Sequence, residues 1–323
     1  MRALVAPRYG SPDVLRFADV PEPVPAAVEV LIRVEATTVN RTDLGVLVGT
    51  PFVARLAYGF TAPKHPILGC EFAGTIEAVG DEVSLFELGD RVFGFDGARF
   101  GSHAPYKVMR ETSLIDRIPE GVSFQEAAPA SEGACYSMNI IRKGGIDRAG
   151  GRVAVYGATG SIGSAAVQLA KHFGATVTAV GDTGRLELMR SLGADRVVDY
   201  TQEHVPPAGE RYDVVIDAVG KTSYLRWRSA MAPDGSFLAS DMGPGGQNIP
   251  LAIWTRIFGR RRVAMPLPRN TKDDIGLFGM LLESGAFRPV VGRVYPFDEI
   301  IDAFRHVATG EKTGNVVIAM GNT

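Results

Sequence analysis

The sequence predicts an α/β protein with two parts, a partly open β-barrel and a doubly wound parallel sheet that carries helices on both faces. Residues 28–36 alternate between apolar and mainly charged side chains, which is the period of a half-buried strand. Short strands that are separated by Gly, Asp and Pro turns are typical of barrels. From residue 122 onward, short apolar runs alternate with helical stretches, and such continuous apolar strands indicate burial on both faces of a sheet.

The remaining elements follow from the same patterns. Further strands of the first part are expected at residues 3–6, 74–80 and 91–95. The elements of the second part are expected as strands at 153–156, 176–180, 196–199, 213–217 and 235–239, with helices at 161–173 and 186–192. Those of the last part are expected as helices at 271–285 and 297–310 and a strand at 314–318.

The tail of the chain can rejoin the first part, which would make the parallel-sheet part an insertion. We therefore expect one domain formed by residues 1–121 together with 268–323. The inserted domain is expected to span residues 122–267.

Composition restricts the partners and the compartment. The 323 residues carry a formal net charge of −2, so no basic excess suggests a nucleic acid partner. Apolar segments are too short to cross a bilayer or to form a signal-peptide core, and we expect a cytoplasmic protein without a membrane partner. Cys70 and Cys135 leave a disulfide open, although free thiols are the simpler expectation for an intracellular chain.

The most informative stretch is the glycine-rich loop 157–163, Gly-Ala-Thr-Gly-Ser-Ile-Gly, which follows a buried strand directly and opens a helix. Glycines at these positions allow a sharp turn and a close approach of the backbone to a pyrophosphate. The helix N-terminus offers free N–H groups and a partial positive charge to the same group. Nucleotide binding is the prediction, and a purely structural turn is the alternative. The residues expected at the dinucleotide are Gly157, Thr159, Gly160, Ser161, Ile162 and Gly163.

Two charged residues after the next strand give opposing indications about the cofactor. Asp182 is placed to bond the hydroxyls of an adenosine ribose, as in enzymes that use NAD. Arg185 is placed to bind the 2′-phosphate of NADP. Solvated loop charges are the alternative for both residues.

Several motifs resemble those of one enzyme family and occur in the family's order. They are 68–74 (Leu-Gly-Cys-Glu-Phe-Ala-Gly), 78–80 (Ala-Val-Gly), 86–94, 165–171 (Ala-Ala-Val-Gln-Leu-Ala-Lys), 191–195 (Ser-Leu-Gly-Ala-Asp), 217–220 (Asp-Ala-Val-Gly) and 312–318 (Lys-Thr-Gly-Asn-Val-Val-Ile). Over nearly its whole length the chain resembles the medium-chain dehydrogenases/reductases, in their zinc-independent, quinone oxidoreductase-like branch.

The resemblance implies a GroES-like substrate domain, a Rossmann cofactor domain and a site in the cleft between them. It also implies hydride transfer from NADPH, or less often NADH, to a quinone, an enone or another activated carbonyl substrate. Family members are commonly homodimers, so a second copy of the chain is an expected partner beside the small-molecule substrate.

No catalytic metal is expected. The family's zinc enzymes carry a cysteine near the end of a first-domain strand, where residues 38–43 of this chain contain none, and a histidine before the glutamate, where this chain has Cys70. Cys70 and Glu71 alone are too few ligands for catalytic zinc. Without a metal, the protein itself must stabilise the charge that develops on the substrate oxygen.

Three residues are candidates for that task. Asn40 and Asp43 match the Asn-x-x-Asp pattern that relatives place near the nicotinamide, and Tyr58 can donate a proton or stack on a flat substrate. The alternatives are that Asn40 caps a turn, that Asp43 caps the following helix, and that Tyr58 only packs.

The resemblance extends the predicted cofactor site beyond the glycine-rich loop. Tyr200 matches a contact on the adenosine side, and Val219 and Gly220 follow the strand beside which the nicotinamide ribose passes. Met242 begins a glycine-rich segment that is expected to line the nicotinamide end. On balance we expect NADP, with NAD as the alternative.

Three functions are therefore compared. The leading one is an NADPH-dependent reductase of quinones or enones. The second is an alcohol dehydrogenase that uses NAD(P) without zinc. The third is a protein that binds NADPH without turnover, such as a redox sensor or a structural protein.

Overall fold

The computed structural model describes residues 1–50, 52, 55–267 and 269–321 and divides into two compact units. Unit 1 comprises Met1–Glu132 and Thr271–Thr323, and unit 2 comprises Gly133–Asn270. Residues 122–132 thus belong to unit 1, whereas the sequence placed them with the parallel sheet. These residues are held in unit 1 because the N–H groups of Ser131 and Glu132 donate hydrogen bonds to the carboxylate of Glu71. Pro268, at the predicted boundary, lies outside the described residues.

The strands are numbered in chain order. They are β1 (Arg2–Val5), β2 (Arg16–Asp19), β3 (Glu29–Val39), β4 (Glu71–Val79), β5 (Arg91–Phe95), β6 (Tyr106–Arg110), β7 (Ile115–Arg117), β8 (Arg152–Tyr156), β9 (Thr176–Gly181), β10 (Arg196–Asp199), β11 (Tyr212–Asp217), β12 (Met231–Ala239), β13 (Arg262–Ala264), β14 (Val291–Pro296) and β15 (Asn315–Ala319).

The α-helices are numbered in the same way. They are α1 (Arg41–Val48), α2 (Arg55–Tyr58), α3 (Phe124–Ala127), α4 (Glu132–Gly144), α5 (Ile146–Ala149), α6 (Ser161–His172), α7 (Leu186–Ser191), α8 (Tyr224–Trp227), α9 (Asn248–Phe258), α10 (Lys272–Glu283) and α11 (Ile300–Thr309). Within the described ranges, no helix combines the length and the apolar character that crossing a bilayer requires.

Unit 2 is built on a parallel sheet with the strand order β10-β9-β8-β11-β12-β13. Val153, Ala154 and Val155 of β8 are fully buried, as their continuous apolar run predicts. The strand order reverses between β8 and β11, so the loops after these two strands leave the sheet at its topological switch point. Open parallel sheets bind ligands at such a point. The predicted doubly wound sheet is confirmed.

Unit 1 contains an open, mainly antiparallel sheet with the strand order β14-β15-β3-β4-β5-β7, in which β6 also pairs with β3. The long strand β3 is central because β15, β4 and β6 all pair with it. Since β3 and β4 run antiparallel, with Thr37 opposite Phe72, the end of β3 lies beside the start of β4. This register places Asn40 next to Cys70 and Glu71.

Candidate active site

The glycine-rich loop of unit 2 forms the tight turn that the sequence predicts. Gly157 has a φ of +80°, a conformation that favours glycine. A Cβ on Gly163 would lie well inside van der Waals contact of the Gly157 carbonyl oxygen. The first turn of α6 therefore lies directly against the end of β8, and only glycine fits at position 163.

The N-terminus of α6 offers groups that suit an anion. The helix begins at Ser161 with Gly160 as its N-cap, so its first N–H groups lack intrahelical acceptors. The Ser161 hydroxyl is buried and has no hydrogen-bond partner among the described residues. A buried hydroxyl beside a helix N-terminus fits an oxygen of a pyrophosphate. Ile162 is half-buried, and Thr159 is buried in the same loop.

The loop after β11 lies against the loop after β8. A Cβ on Gly157 would collide with the Val219 side chain, so the two loops are in close contact. The N–H groups of Val219 and Gly220 donate to Asp217 at 3.2 and 2.9 Å, which fixes the turn. Burial raises the pKa of Asp217 to about 6. The structure thus brings Val219 and Gly220 to the glycine-rich loop.

On the predicted adenosine side, Arg185 and Asp182 form an ion pair with each other. The two charges that gave opposing indications in the sequence therefore partly neutralise one another. The neighbouring loops are tied together because the Thr183 hydroxyl hydrogen-bonds Asp199. Tyr200 is 45% exposed, and its ring centroid lies 6.0 Å from that of Tyr156.

Met242 begins the last predicted segment of the cofactor site. Its side chain is half-buried, and its carbonyl oxygen accepts a hydrogen bond from the Asn248 N–H at 3.0 Å. Gly243, Gly245 and Gly246 have positive φ values, so this segment turns tightly before α9 begins.

In unit 1, Asn40 and Asp43 form a capping box at the N-terminus of α1. The Asn40 side chain accepts from the Asp43 N–H at 2.9 Å, and the Asp43 carboxylate accepts from the Asn40 N–H at 3.2 Å. Asp43 also accepts from the Gly69 N–H at 3.0 Å, and burial raises its pKa to about 7. The capping roles that the sequence left open are present, while direct contact of either residue with a substrate stays a prediction.

Tyr58 ends the short helix α2 and is half-buried. Its ring packs edge-on against Phe100, with centroids 5.8 Å apart. Burial raises the pKa of its hydroxyl, and the nearby Cys70 adds to that rise. Because the Asn40 amide donates to the Cys70 sulfur at 3.1 Å, the structure gathers Tyr58, Cys70 and Asn40 in one region of unit 1.

A group of buried charged residues that the sequence did not single out lies beside this region. Glu71 and Glu132 are carboxylates with 0% and 3% exposure. The hydroxyl of Thr42 donates to Glu132, and the half-buried cation Lys312, which donates to the Gly314 carbonyl oxygen at 2.6 Å, lies close to both carboxylates. Glu71 and Lys312 each lie in a family motif. The neighbouring residues in the sequence do not indicate that Glu71 is buried, or that both residues lie close to Glu132.

Comparisons with known proteins identify the family. Residues 26–139 match the alcohol dehydrogenase GroES-like domain, and residues 192–318 match a zinc-binding dehydrogenase domain. The chain is 33% identical over 330 residues to the 2-methylene-furan-3-one reductase of Solanum lycopersicum, covering 98% of this chain and 79% of that protein.

The chain belongs to the medium-chain dehydrogenase/reductase superfamily. It is an oxidoreductase of the quinone oxidoreductase-like branch, and the predicted GroES-like and Rossmann domains are confirmed.

Two further similarities support this placement. The NADPH-dependent alkenal/one oxidoreductase of Arabidopsis thaliana is 31% identical over 98% of this chain and 79% of that protein. The quinone oxidoreductase of Pseudomonas syringae pv. Tomato DC3000 has a structure that superposes with a TM-score of 0.83, at 25% identity over 99% of both chains.

The side chains at the zinc positions of this dehydrogenase/reductase do not fit a catalytic zinc ion. Residues 38–43, where the zinc enzymes carry a cysteine, contain none, and the Asn40 amide there donates to the Cys70 sulfur. Burial raises the pKa of that thiol well above its usual value, which disfavours the thiolate that binds metals. In the part of the chain that the structure describes, no three His, Cys, Asp or Glu side chains are arranged to hold a metal ion.

We predict that Gly163→Ala removes dinucleotide binding. The added Cβ would push α6 away from the Gly157 carbonyl, displacing the N-terminal N–H groups and destabilising the fold by about 1–3 kcal/mol. Calorimetric titration with NADPH and thermal unfolding measure the two effects. Gly276→Ala is the matched control, because its Cβ would have the Asp116 carboxylate at 3.6 Å as its nearest neighbour. Unchanged NADPH affinity in Gly163→Ala would contradict the assignment of this loop.

Proposed function

We propose that this protein is a zinc-independent reductase that transfers a hydride from NADPH to a quinone or an enone. The observation that carries the proposal is the loop 157–163, which presents the N-terminus of α6 and the buried Ser161 hydroxyl at the switch point of the sheet. The names of the Solanum and Arabidopsis relatives support an enone-type substrate. Cys70 and Cys135 are buried and are not joined in a disulfide, which fits a cytoplasmic location.

In this proposal the backbone of unit 2 holds the dinucleotide. The pyrophosphate is bound by Gly157, Thr159, Gly160, Ser161, Ile162 and Gly163. Tyr200 lies on the adenosine side, Val219 and Gly220 at the nicotinamide ribose, and Met242 near the nicotinamide. The bound nicotinamide supplies the hydride.

Unit 1 holds the substrate and stabilises the charge that develops on its oxygen. Tyr58 is the proposed donor, because a half-buried phenol whose pKa is raised by burial stays protonated and can hydrogen-bond an enolate or a hydroquinone oxygen. Asn40 and Asp43 fix the first turn of α1 at the same place through their capping box.

The proposal predicts that the protein consumes NADPH when an enone or a quinone is added. NADPH that carries deuterium at nicotinamide C4 should transfer the label to the β-carbon of an enone. The assay includes the matching saturated alcohol with NADP, a chelator, and a measurement of bound zinc. Absence of turnover with every acceptor overturns the reductase function, and stoichiometric, tightly held zinc overturns its zinc-independent form. Faster oxidation of the alcohol than reduction of the enone favours an alcohol dehydrogenase.

Preference for NADPH is proposed to depend on Arg185. A guanidinium that binds a 2′-phosphate contributes about 1.5–3 kcal/mol, so Arg185→Ala should raise the KM for NADPH roughly tenfold or more with little change for NADH. Asp182→Ser removes the carboxylate that pairs with Arg185 and repels the phosphate, so it should lower the KM for NADPH. Arg190→Ala is the control, since Arg190 pairs with the exposed Glu187. Equal effects on both dinucleotides would contradict this role.

A homodimer is proposed through unit 2. Helix α9 exposes Ile253, Trp254 and Ile257 at 60%, 47% and 65%, and it packs beside β13, which ends the sheet among the described strands. An apolar helix next to an open strand edge suits a second copy of the same surface, because a two-fold axis can pair the two edges.

The dimer proposal predicts that Ile253→Asp yields monomers. In a two-fold dimer the introduced carboxylates of the two copies would be buried opposite each other in the interface, which is unfavourable. Sedimentation velocity should therefore show a shift from dimer to monomer. Leu88→Asp in unit 1 is the control, because Leu88 is similarly exposed at 64%. A wild-type monomer, or an Ile253→Asp dimer of unchanged affinity, would contradict this interface.

A further inference from the structure

Reduction of an enone or a quinone needs a proton as well as a hydride, and Tyr58 is assigned only as a hydrogen-bond donor, because its raised pKa favours keeping its proton. Unit 1 contains a pair of buried carboxylates that the proposed function has not used. Glu71 accepts hydrogen bonds from the Thr38 hydroxyl at 2.7 Å, from the Ser131 hydroxyl at 3.1 Å and from the Glu132 N–H at 2.6 Å. Burial raises the pKa of Glu71, and these donors act in the opposite direction by stabilising its charged form.

Glu132 has a different environment. The Thr42 hydroxyl is its hydrogen-bond partner, while the carboxylates of Glu71 and Asp43 lie close by. Two adjacent buried carboxylates do not both ionise easily, and the better-bonded one keeps the charge. Burial and the neighbouring Glu71 raise the pKa of Glu132 to about 8. Glu132 therefore holds a proton at neutral pH.

The positive charges near the pair are Lys312 and, beyond it, Arg41. Lys312 is half-buried, and its ammonium group donates to the Gly314 carbonyl oxygen at 2.6 Å. Desolvation lowers the pKa of that group, while Glu132 and Glu71 act in the opposite direction. Burial raises the pKa of Asp43 to about 7, and the buried Cys70 thiol keeps its proton because burial and the surrounding carboxylates raise its pKa. When Glu132 gives up its proton, Lys312 faces the new carboxylate and stabilises it.

Thr42 connects the buried proton to the surface of unit 1. It lies in the first turn of α1, between Asn40 and Asp43, and is half-buried. A hydroxyl both accepts and donates, so Thr42 can receive a proton from Glu132 and pass its own outward.

We propose that Glu132 and Thr42 form a proton relay that completes the reduction. The inference rests on the proposed function. Addition of the hydride to the β-carbon of an enone forms a C–H bond and shifts the π electrons to the oxygen, which gives an enolate and an oxidised nicotinamide. The Thr42 hydroxyl proton then bonds to the enolate oxygen, and the resulting enol tautomerises to the saturated ketone. The Glu132 proton moves to the Thr42 oxygen, and Glu132 is left as a carboxylate that water reprotonates.

The relay predicts a selective loss of the proton-transfer step. Glu132→Gln and Thr42→Val should each lower kcat by about 10²–10⁴-fold with little change in the KM for NADPH. Thr42→Ser should retain most of the rate, because it keeps the hydroxyl. The wild-type rate should fall as pH rises through about 8, since the relay needs protonated Glu132, and Glu132→Gln should lack that limb. Glu120→Gln, at an exposed position of the same unit, is the control.

Two measurements test the proton without turnover. Infrared spectroscopy of the resting protein at neutral pH should show a protonated carboxyl band whose Glu132 component disappears in Glu132→Gln and persists in Glu120→Gln, beside the contribution of Asp43, whose pKa of about 7 leaves it partly protonated. Folding raises the pKa of Glu132 from 4.5 to about 8, so between these pH values the folded chain binds a proton that the unfolded chain does not. The free energy of unfolding should therefore fall as the pH rises from 4.5 to about 8, and it should fall less steeply in Glu132→Gln.

The outcomes separate the relay from the function it serves. Normal turnover in the wild type, together with an unchanged rate and pH profile in folded Glu132→Gln or Thr42→Val, overturns the relay and leaves the reductase intact. A resting protein without the carboxyl band overturns it as well. Absence of any turnover in the wild type overturns the proposed function itself, and the relay with it.

Discussion

The buried carboxylate of Glu71 is the interaction on which much of unit 1 depends. It begins β4 and accepts hydrogen bonds from Thr38 near the end of β3 and from Ser131 and Glu132 at the start of α4. These three segments are distant in sequence, and one side chain joins them. A hydrogen bond to a charged group contributes about 1.5–3 kcal/mol, so losing any one of these contacts weakens the whole arrangement. Asn40 and Thr42 lie two and four residues after Thr38, which donates to this carboxylate.

The proposed site relies on backbone groups in unit 2 and on side chains in unit 1. In unit 2 the backbone carries the proposed binding site, since glycine at 163 and the free N–H groups of α6 suit a pyrophosphate without any charged side chain. In unit 1 buried side chains set the protonation states, because desolvation moves Asp43 and Glu132 far from their ordinary pKa values. A dinucleotide site can therefore be shared by many enzymes while the chemistry differs through a few buried residues.

The sequence was most informative where structure is local. The order of strands and the turn at residues 157–163 follow from short apolar runs and glycine spacing, which depend on neighbours along the chain. The burial of Glu132 and its association with Lys312 could not be found in this way, because charged residues are ordinarily exposed and these contacts depend on partners far away in sequence. The sequence could not resolve the opposing indications of Asp182 and Arg185, because only the structure shows that the two side chains form an ion pair.

Helix α9 and strand β13 could not be placed beforehand because apolar residues on an exposed surface look like core residues in a sequence. The returning tail of the chain has a consequence of another kind. Strand β15 lies between β14 and β3, so the ribosome must synthesise nearly the entire polypeptide before the sheet of unit 1 can be completed. Unit 2 is contiguous in sequence and can fold during synthesis. Until synthesis ends, the amino-terminal segments of unit 1 therefore lack both their last strands and the positive charge of Lys312.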